Sequence, residues 1–203
     1  MPDRTLKEFS DALAAKTSVP GGGGASAAAG ALGMALGRMV GAFTVGKAKY
    51  ADAEPEILAL MERAEGLQER LLDCIAADAE AFAPLARAYG IPKEDPERPA
   101  MLELCLRDAA KVPLGILKLC GDCLELLADF ADKGSALMVS DAGTGAALCE
   151  GALRGAALNV RVNTRLMTDR AYADALDRET DVILAQYETL AERIYADVWG
   201  RLS

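Results

Sequence analysis

The chain has 203 residues, a formal net charge of −9 and no histidine. The negative charge argues against a nucleic-acid-binding or anionic-membrane surface. The lack of histidine excludes histidine-based triads, metal ligands and general bases, so acid–base chemistry falls to Asp, Glu, Lys, Tyr or Cys.

Composition and periodicity predict helices throughout, in a single domain that spans residues 1–203. Aromatic and β-branched residues are scarce, and no segment alternates as a strand does. The expected helices are Leu6–Ala15, Ala25–Gly46, Glu56–Tyr89, Met101–Asp132, a helix from Ser140 or Asp141 to about Leu166, and Asp169–Leu202. Pro113 is expected to kink the fourth helix, and residues 135–140 are expected to form a short extended connection. The predicted fold is therefore an all-α bundle of long, partly kinked helices.

Residues 20–24 read Pro-Gly-Gly-Gly-Gly and lead directly into the second helix. Four consecutive glycines lose much backbone entropy on ordering, which makes sense where the backbone must approach a partner closely. The helix adds free N–H groups and the positive end of its dipole, which suits an anionic or polar ligand. A flexible hinge before a core helix explains the same residues without a ligand.

The second helix contains a stripe of small residues, because Gly33, Gly37 and Gly41 recur every four positions. Such a stripe allows another helix to pack at short distance. The segment is the only candidate for a membrane span, but it is rich in Ala and Gly rather than Leu and contains Arg38. We therefore expect no membrane association.

The five cysteines are an odd number without a signal peptide, which predicts reduced thiols in the cytoplasm. Cys120 and Cys123 form one C-x-x-C pair without the second ligand pair of a zinc site. The pair falls inside a predicted helix among leucines. We interpret the cysteines as small core residues and expect no metal site.

Two aspartates are candidates for chemistry. Asp78 interrupts the apolar stripe of the third helix, where burial would raise its pKa. A satisfied hydrogen bond to a neighbouring helix, or a stripe that turns toward solvent, explains Asp78 equally well. Asp141 follows Ser140 at an expected helix start, where capping is the ordinary explanation.

Other polar residues lie far from Asp141. Asn159 and Asn163 are one turn apart on the helix that follows Asp141. Asp141 and Asn159 are separated by five turns, about 27 Å, so they cannot reach one reacting centre within a single chain. Lys47 and Tyr50 lie at the far end of the glycine-rich helix, where a cation complements the helix dipole or clamps ligand carboxylates.

The chain resembles the formimidoyltetrahydrofolate cyclodeaminase / methenyltetrahydrofolate cyclohydrolase family over roughly residues 5–200. The motifs that carry the resemblance follow in the family's order: Ser18-Val19-Pro20-Gly21-Gly22-Gly23, Gly46-Lys47-x-x-Tyr50, Asp78-x-x-Ala81-Phe82, Val112-Pro113, Ser140-Asp141 and Asn159-Val160-x-Val162-Asn163. The fourth glycine and the Thr144-Gly145 pair depart from the family's pattern. The resemblance implies an all-helical homodimer with a folate cleft lined by both subunits, which would bring the ends of one long helix together.

Site residues are implied by the same resemblance. The catalytic set is Asp141 as the acid/base, Asp78 as a supporting residue and Lys47 as a positioning residue. Substrate contacts are implied at Pro20, Gly21, Gly22, Gly23, Tyr50, Phe82, Ser140, Asn159 and Asn163.

The implied reactions are two, and neither needs a metal or a redox cofactor. One is cyclisation of 5-formimidoyltetrahydrofolate to 5,10-methenyltetrahydrofolate with release of ammonia. The other is hydrolysis of 5,10-methenyltetrahydrofolate to 10-formyltetrahydrofolate. The residues alone leave one alternative open, a non-catalytic helical dimer that binds a folate-like ligand or a protein partner.

Overall fold

The fold is built around one helix with very small side chains. The computed structural model describes residues 5–203, and within that range it contains α-helices, two short 3₁₀ turns and no strand. The helices are α1 (Leu6–Ala14), α2 (Gly22–Ala42), α3 (Glu54–Tyr89), α4 (Arg98–Lys133), α5 (Val139–Thr164) and α6 (Arg170–Leu202). The predicted all-α class is confirmed.

Helix α2 is the central helix and packs against α3, α4 and α5. A Cβ at Gly33 would lie 2.6 Å from Cys149 Sγ on α5. A Cβ at Gly41 would lie 2.5 Å from Met61 on α3, and Gly37 faces α4. The predicted glycine stripe is therefore used for close packing, but it is shared among three neighbours because α2 lies in the middle of the bundle.

Helices α2 and α5 run antiparallel and set the two ends of the molecule. Gly22 lies against Asn159 near the end of α5, whereas Gly33 lies against Gly145 near its beginning. Helix α2 has 21 residues, which corresponds to a length of about 31 Å. The end with Gly22 and Asn159 is called the glycine end below, and the opposite end, where α2 finishes and α5 begins, is called the lysine end.

The core is formed by the apolar faces that the periodicity predicts. The buried positions of α3 include Ile57, Leu60, Ala64, Leu71, Ile75 and Leu85. Four cysteines are buried, Cys74 is partly buried, and all five are free thiols. The interpretation of the cysteines as core residues is confirmed for those four. Within residues 5–203, every helix is too short or too polar to span a membrane.

Two predicted boundaries differ at the glycine-rich helix. Helix α2 begins at Gly22 rather than Ala25, because a carboxylate from α3 accepts the N–H of Gly24 in the first turn. It ends at Ala42 rather than Gly46, since the chain turns there and Gly46 has a positive φ of 77°. Helix α4 continues through Pro113.

The predicted extended connection over residues 135–140 is wrong. Residues Ala136–Met138 form a 3₁₀ turn that runs directly into α5. Capping by Ser140 or Asp141 is also wrong, because both lie inside the first turn of α5. The physical reason is tertiary: the hydroxyl oxygen of Thr44 accepts the N–H of Ser135, and that of Tyr50 accepts the N–H of Ala136, so the chain is already held before α5 begins.

Candidate active site

A cleft opens at the glycine end, between the glycine run and helices α3, α4 and α5. Its volume is about 130 Å³. Its lining residues are Ser18, Val19, Gly21, Gly22, Asp78, Phe82, Ala109, Pro113, Asn159, Val162 and Asn163. The fold therefore brings together the glycine run, one of the two candidate aspartates and both candidate asparagines.

Asp78 is the carboxyl group of this cleft. Its Oδ2 accepts the backbone N–H of Gly24 at 3.0 Å. That N–H belongs to the first turn of α2, where backbone donors have no partner within the helix and the dipole favours a negative charge. Burial raises the pKa of Asp78 above its usual value, and the bond from Gly24 offsets part of this increase. A carboxyl group with a raised pKa can take up and release a proton closer to neutral pH.

The glycines are required by the close approach of polar side chains. A Cβ at Gly23 would lie 2.5 Å from Cγ of Asp78, and a Cβ at Gly22 would lie 2.9 Å from Nδ2 of Asn159. A side chain at either position would therefore force Asp78 or Asn159 to shift. Because Gly22 and Gly23 are the first two residues of α2, their N–H groups also lack intrahelical acceptors.

The two asparagines present their side-chain oxygens. Nδ2 of Asn159 donates to the carbonyl of Gly155 at 2.8 Å, and Nδ2 of Asn163 donates to the carbonyl of Asn159 at 2.8 Å. Within residues 5–203, neither side-chain oxygen accepts a hydrogen bond. Both oxygens can therefore accept hydrogen bonds from a bound molecule.

Apart from Ser18, the remaining side chains that line the cleft are apolar. Phe82, Pro113 and Val162 face it from α3, α4 and α5. Flat apolar walls with a few converging polar groups are typical of a site for a ring-containing small molecule. The cleft therefore places the Asp78 carboxyl group, which can exchange a proton, next to apolar walls that suit a ring-containing ligand.

The other predicted site residues lie at the lysine end. Nζ of Lys47 is 3.4 Å from the Ser135 hydroxyl, and it lies 5.9 Å from the centre of the Phe43 ring. The hydroxyl of Tyr50 accepts the N–H of Ala136 at 3.0 Å, which lowers the pKa of Tyr50. Neither side chain lines the cleft.

Ser140 and Asp141 are at the lysine end as well, in the first turn of α5. Ser140 lines a separate groove with Thr144 and Trp199. As the helical spacing predicts, a single chain does not bring Asp141 to Asn159, since they are about 27 Å apart along α5.

Not every predicted substrate contact lines the cleft, and some residues that line it were not predicted. Pro20 and Gly23 are buried behind the cleft wall. The sequence interpretation missed five lining residues: Ser18, Val19, Ala109, Pro113 and Val162. Val162 could have been found from its spacing of three from Asn159, whereas Ala109 has no chemical signature. In the described part of the chain, no group of three or more Cys, Asp or Glu side chains is arranged to hold a metal ion.

Comparisons with known proteins show which proteins this chain is similar to. The family model described as "Formiminotransferase-cyclodeaminase" matches residues 5–182. A methenyltetrahydrofolate cyclohydrolase from Methylorubrum extorquens is 39% identical over 205 residues, with 99% of each chain covered. A formimidoyltransferase-cyclodeaminase from Mus musculus is 30% identical, and the chain spans 38% of its length. The crystal structure of a formiminotetrahydrofolate cyclodeaminase from Thermotoga maritima superimposes with a TM-score of 0.91 at 29% identity, with 99% of this chain and 98% of that chain covered.

Proposed function

The chain belongs to the formiminotransferase-cyclodeaminase family, and we propose that it acts on a one-carbon derivative of tetrahydrofolate bound in the cleft of Asp78. Hydrolysis of 5,10-methenyltetrahydrofolate to 10-formyltetrahydrofolate is proposed first, because the relative matched over its whole length is named for that activity. Cyclisation of 5-formimidoyltetrahydrofolate with release of ammonia is the second candidate, favoured by the name of the superimposable Thermotoga maritima protein.

The position of Asp78 carries the proposal. It is a half-buried carboxyl group with a raised pKa, fixed by Gly24, in a cleft with apolar walls. In the hydrolysis, water attacks the methenyl carbon and Asp78 takes up a proton from that water. As the bond between this carbon and N5 breaks, Asp78 returns the proton to N5, and the remaining hydroxyl proton is released to solvent as the formyl C=O forms. One carboxyl group thus serves both steps.

The cyclisation uses the same group in the opposite order. N10 of the folate attacks the carbon of the formimidoyl group on N5, which reacts as its amidinium, and the resulting NH2 group must take up one more proton to depart as ammonia. Asp78 in its protonated form supplies that proton and then accepts the one that N10 loses. The sequence motifs suggested Asp141 as the acid/base, but Asp78 is the carboxyl group that faces the cleft.

Substrate orientation follows from the other lining groups. The oxygens of Asn159 and Asn163 can accept hydrogen bonds from the amino and ring N–H groups of a pterin. The N–H group of Gly22, which lines the cleft, can donate to a pterin oxygen. Phe82 supplies an apolar wall for the ring.

One chain covers only part of such a substrate. The cleft of about 130 Å³ is below the roughly 300–1,000 Å³ of sites that enclose drug-sized ligands. We therefore include a homodimer in the proposal, with Asp141, Lys47, Tyr50 and Ser140 supplied by the second subunit. The Asp141 carboxylate would stabilise the positive charge of the methenyl or amidinium carbon. A single domain over residues 1–203, a cytoplasmic location and catalysis without a cofactor belong to the same proposal.

The test offers the two folates separately to the purified protein, with methenyl absorbance and ammonia release as the measurements. We expect turnover of at least one, and a loss of about 10²–10⁴-fold in Asp78→Asn, the usual size of a general acid–base contribution. Asp73→Asn is the matched control, since Asp73 is an exposed carboxylate of the same helix. Binding without turnover would favour the non-catalytic alternative, and no binding of either folate would overturn both.

A further inference from the structure

A second groove lies at the glycine end, beyond the candidate active site. Its volume is about 320 Å³, and it is called the outer groove below. Apolar walls come from Tyr89 at the end of α3, Leu102 and Leu106 on α4, and Leu166 just after α5, and Arg98 at the start of α4 also lines it. The proton chemistry proposed above uses none of these residues.

The outer groove continues the cleft along the same helix faces. On α3, Phe82 lines the cleft and Tyr89, seven residues later, lines the groove. On α4, Ala109 lines the cleft, and Leu106 and Leu102 of the groove precede it by three and seven residues. Spacings of three, four and seven residues keep side chains on one side of a helix. The cleft and the outer groove are therefore successive parts of one surface between α3 and α4.

Arg98 is the cation of the outer groove. Its Nε donates to the carbonyl of Ile91 at 2.9 Å, which holds the guanidinium at the start of α4. Among the described residues, none accepts a hydrogen bond from its two terminal nitrogens or pairs with its charge. A guanidinium stays charged at every physiological pH, and its terminal N–H groups match the two oxygens of a carboxylate. Arg98 is therefore free to bind an anionic group of a ligand.

Glu103 is the only carboxylate among the described residues that line the groove, and its oxygens are already used. It accepts Nε of Arg107 at 3.0 Å, and it accepts the N–H and the hydroxyl of Thr168 at 2.6 and 2.8 Å. The charge of Glu103 is thus balanced by Arg107, and the charge of Arg98 is left for a ligand. An apolar groove with a cation at one end suits a ring that is followed by a carboxylate.

We propose that the outer groove binds the aminobenzoyl-glutamate tail of the folate whose pterin lies in the cleft, and that Arg98 binds a glutamate carboxylate. The inference rests on the proposed function for the identity of this ligand. It assigns to one chain the part of the substrate that does not react, and it leaves the reacting carbon to Asp78 and the second subunit.

The position of the benzoyl ring follows from the length of the link. One methylene group and N10 join the two rings of a folate, so their centres lie roughly 8 Å apart at bond lengths of about 1.5 Å. Leu106 of the groove lies three residues from Ala109 and seven from Pro113, both of which line the cleft. These separations correspond to about 5 and 10 Å along α4. A pterin in the cleft therefore places its benzoyl ring beside Leu106.

The glutamate then extends toward Arg98. Arg98 precedes Leu106 by eight residues, or about 12 Å along α4. From the centre of the benzoyl ring to the side-chain carboxylate of glutamate is roughly 9 Å at the same bond lengths. A side chain as long as arginine can span the difference. Because this contact is made equally before and during the reaction, Arg98 should determine the affinity for substrate and not the rate of the chemical step.

The first test compares a substrate with its analogue. The methenyl or formimidoyl folate, whichever is turned over, is paired with the same compound in which a primary amide replaces the glutamate. In Arg98→Ala we expect KM for the folate to rise about tenfold, the effect of one lost hydrogen bond to a charged group, with kcat unchanged. KM for the amide analogue should not change, so it also reports any disturbance caused by the lost bond to Ile91. Arg87→Ala is the matched control, since Arg87 is exposed at the same end of α3 and lines neither cavity.

An equal rise in KM for both compounds, or a fall in kcat alone, would overturn the assignment of Arg98 while leaving the proposed function intact. An unchanged KM for the folate would have the same meaning.

The second test measures binding without turnover. Isothermal titration calorimetry with p-aminobenzoyl-glutamate alone should show binding to the wild type and to Arg87→Ala, and about tenfold weaker binding to Arg98→Ala. If neither folate is bound or turned over but this fragment binds through Arg98, the proposed function is overturned and the groove remains a site for aromatic carboxylates. If a folate is turned over while the fragment binds equally to Arg98→Ala and wild type, the groove proposal is overturned and the function stands.

Discussion

The carboxylate of Asp78 on α3 accepts the N–H of Gly24 in the first turn of α2. This bond joins the proposed acid/base of the cleft to the glycine run, because Gly23 must lack a side chain for the carboxylate to lie there. The same contact stabilises the start of the central helix. The start of α2 and the proposed chemistry therefore both depend on the hydrogen bond between Gly24 and Asp78.

Substitution of Gly23 by alanine tests this dependence. The added Cβ would lie 2.5 Å from Cγ of Asp78, so the carboxyl group must move and its bond to Gly24 must lengthen. We expect a loss of about 1–3 kcal/mol in the free energy of unfolding, typical of overpacking, and a fall in turnover. Gly66→Ala is the matched control in open space, and it is expected to stabilise α3 by up to about 1 kcal/mol. Urea denaturation measures both, and equal effects would contradict the steric argument.

The pH dependence of turnover distinguishes the two reactions at Asp78. Hydrolysis begins with the ionised carboxylate, so its kcat/KM should fall as pH decreases through the pKa of Asp78. Cyclisation needs the protonated form, so its kcat/KM should fall as pH increases through the same pKa. Because burial raises this pKa, the limb should lie above the ordinary aspartate value of about 3.9. This pH-dependent fall in kcat/KM should be absent from the residual activity of Asp78→Asn. If the fall persists in this variant, it belongs to the ionisation of another group.

Stability should depend on pH through the same residue. A raised pKa means that the folded state favours protonated Asp78, so this stability contribution is complete below the unfolded pKa of about 3.9 and is lost as pH rises through the folded pKa. Asp78→Asn keeps an oxygen that can accept from Gly24 and removes the ionisation. Its melting temperature relative to wild type should therefore increase between pH 4 and pH 7. A constant difference over that range would show that Asp78 ionises without cost to folding.

Helix α3 illustrates why the fold could be predicted from the sequence. Its apolar residues recur at helical spacing over its whole length, and most of them are buried in the structure. Such a pattern identifies a helix and its inner face without knowledge of the neighbours. The same pattern identified Asp78 as a candidate, because a carboxylate interrupts the apolar stripe there.

The start of α5 illustrates what sequence patterns miss. Ser140 and Asp141 are favourable capping residues, yet the helix begins earlier because Thr44 and Tyr50 hold the preceding backbone. These contacts join positions about 90 residues apart, and local propensity contains no information about them. The lining of the cleft also depends on contacts between distant parts of the chain. Ala109, for example, lines the cleft only because α4 packs against its neighbours.

Asn159 provides the last test, because it lines the cleft and its side-chain nitrogen donates to Gly155, which leaves its oxygen as an acceptor for a bound molecule. Asn159→Ala removes one acceptor for the substrate and leaves the proton chemistry of Asp78 in place. We expect KM to rise about 5- to 30-fold, which corresponds to roughly 1–2 kcal/mol for one hydrogen bond, with kcat changed much less. Steady-state kinetics with the methenyl and formimidoyl substrates measures both parameters. Thr189→Ala is the control, since Thr189 is exposed on α6 and also donates to its own helix. A fall in kcat at unchanged KM would instead place Asn159 in the chemical step.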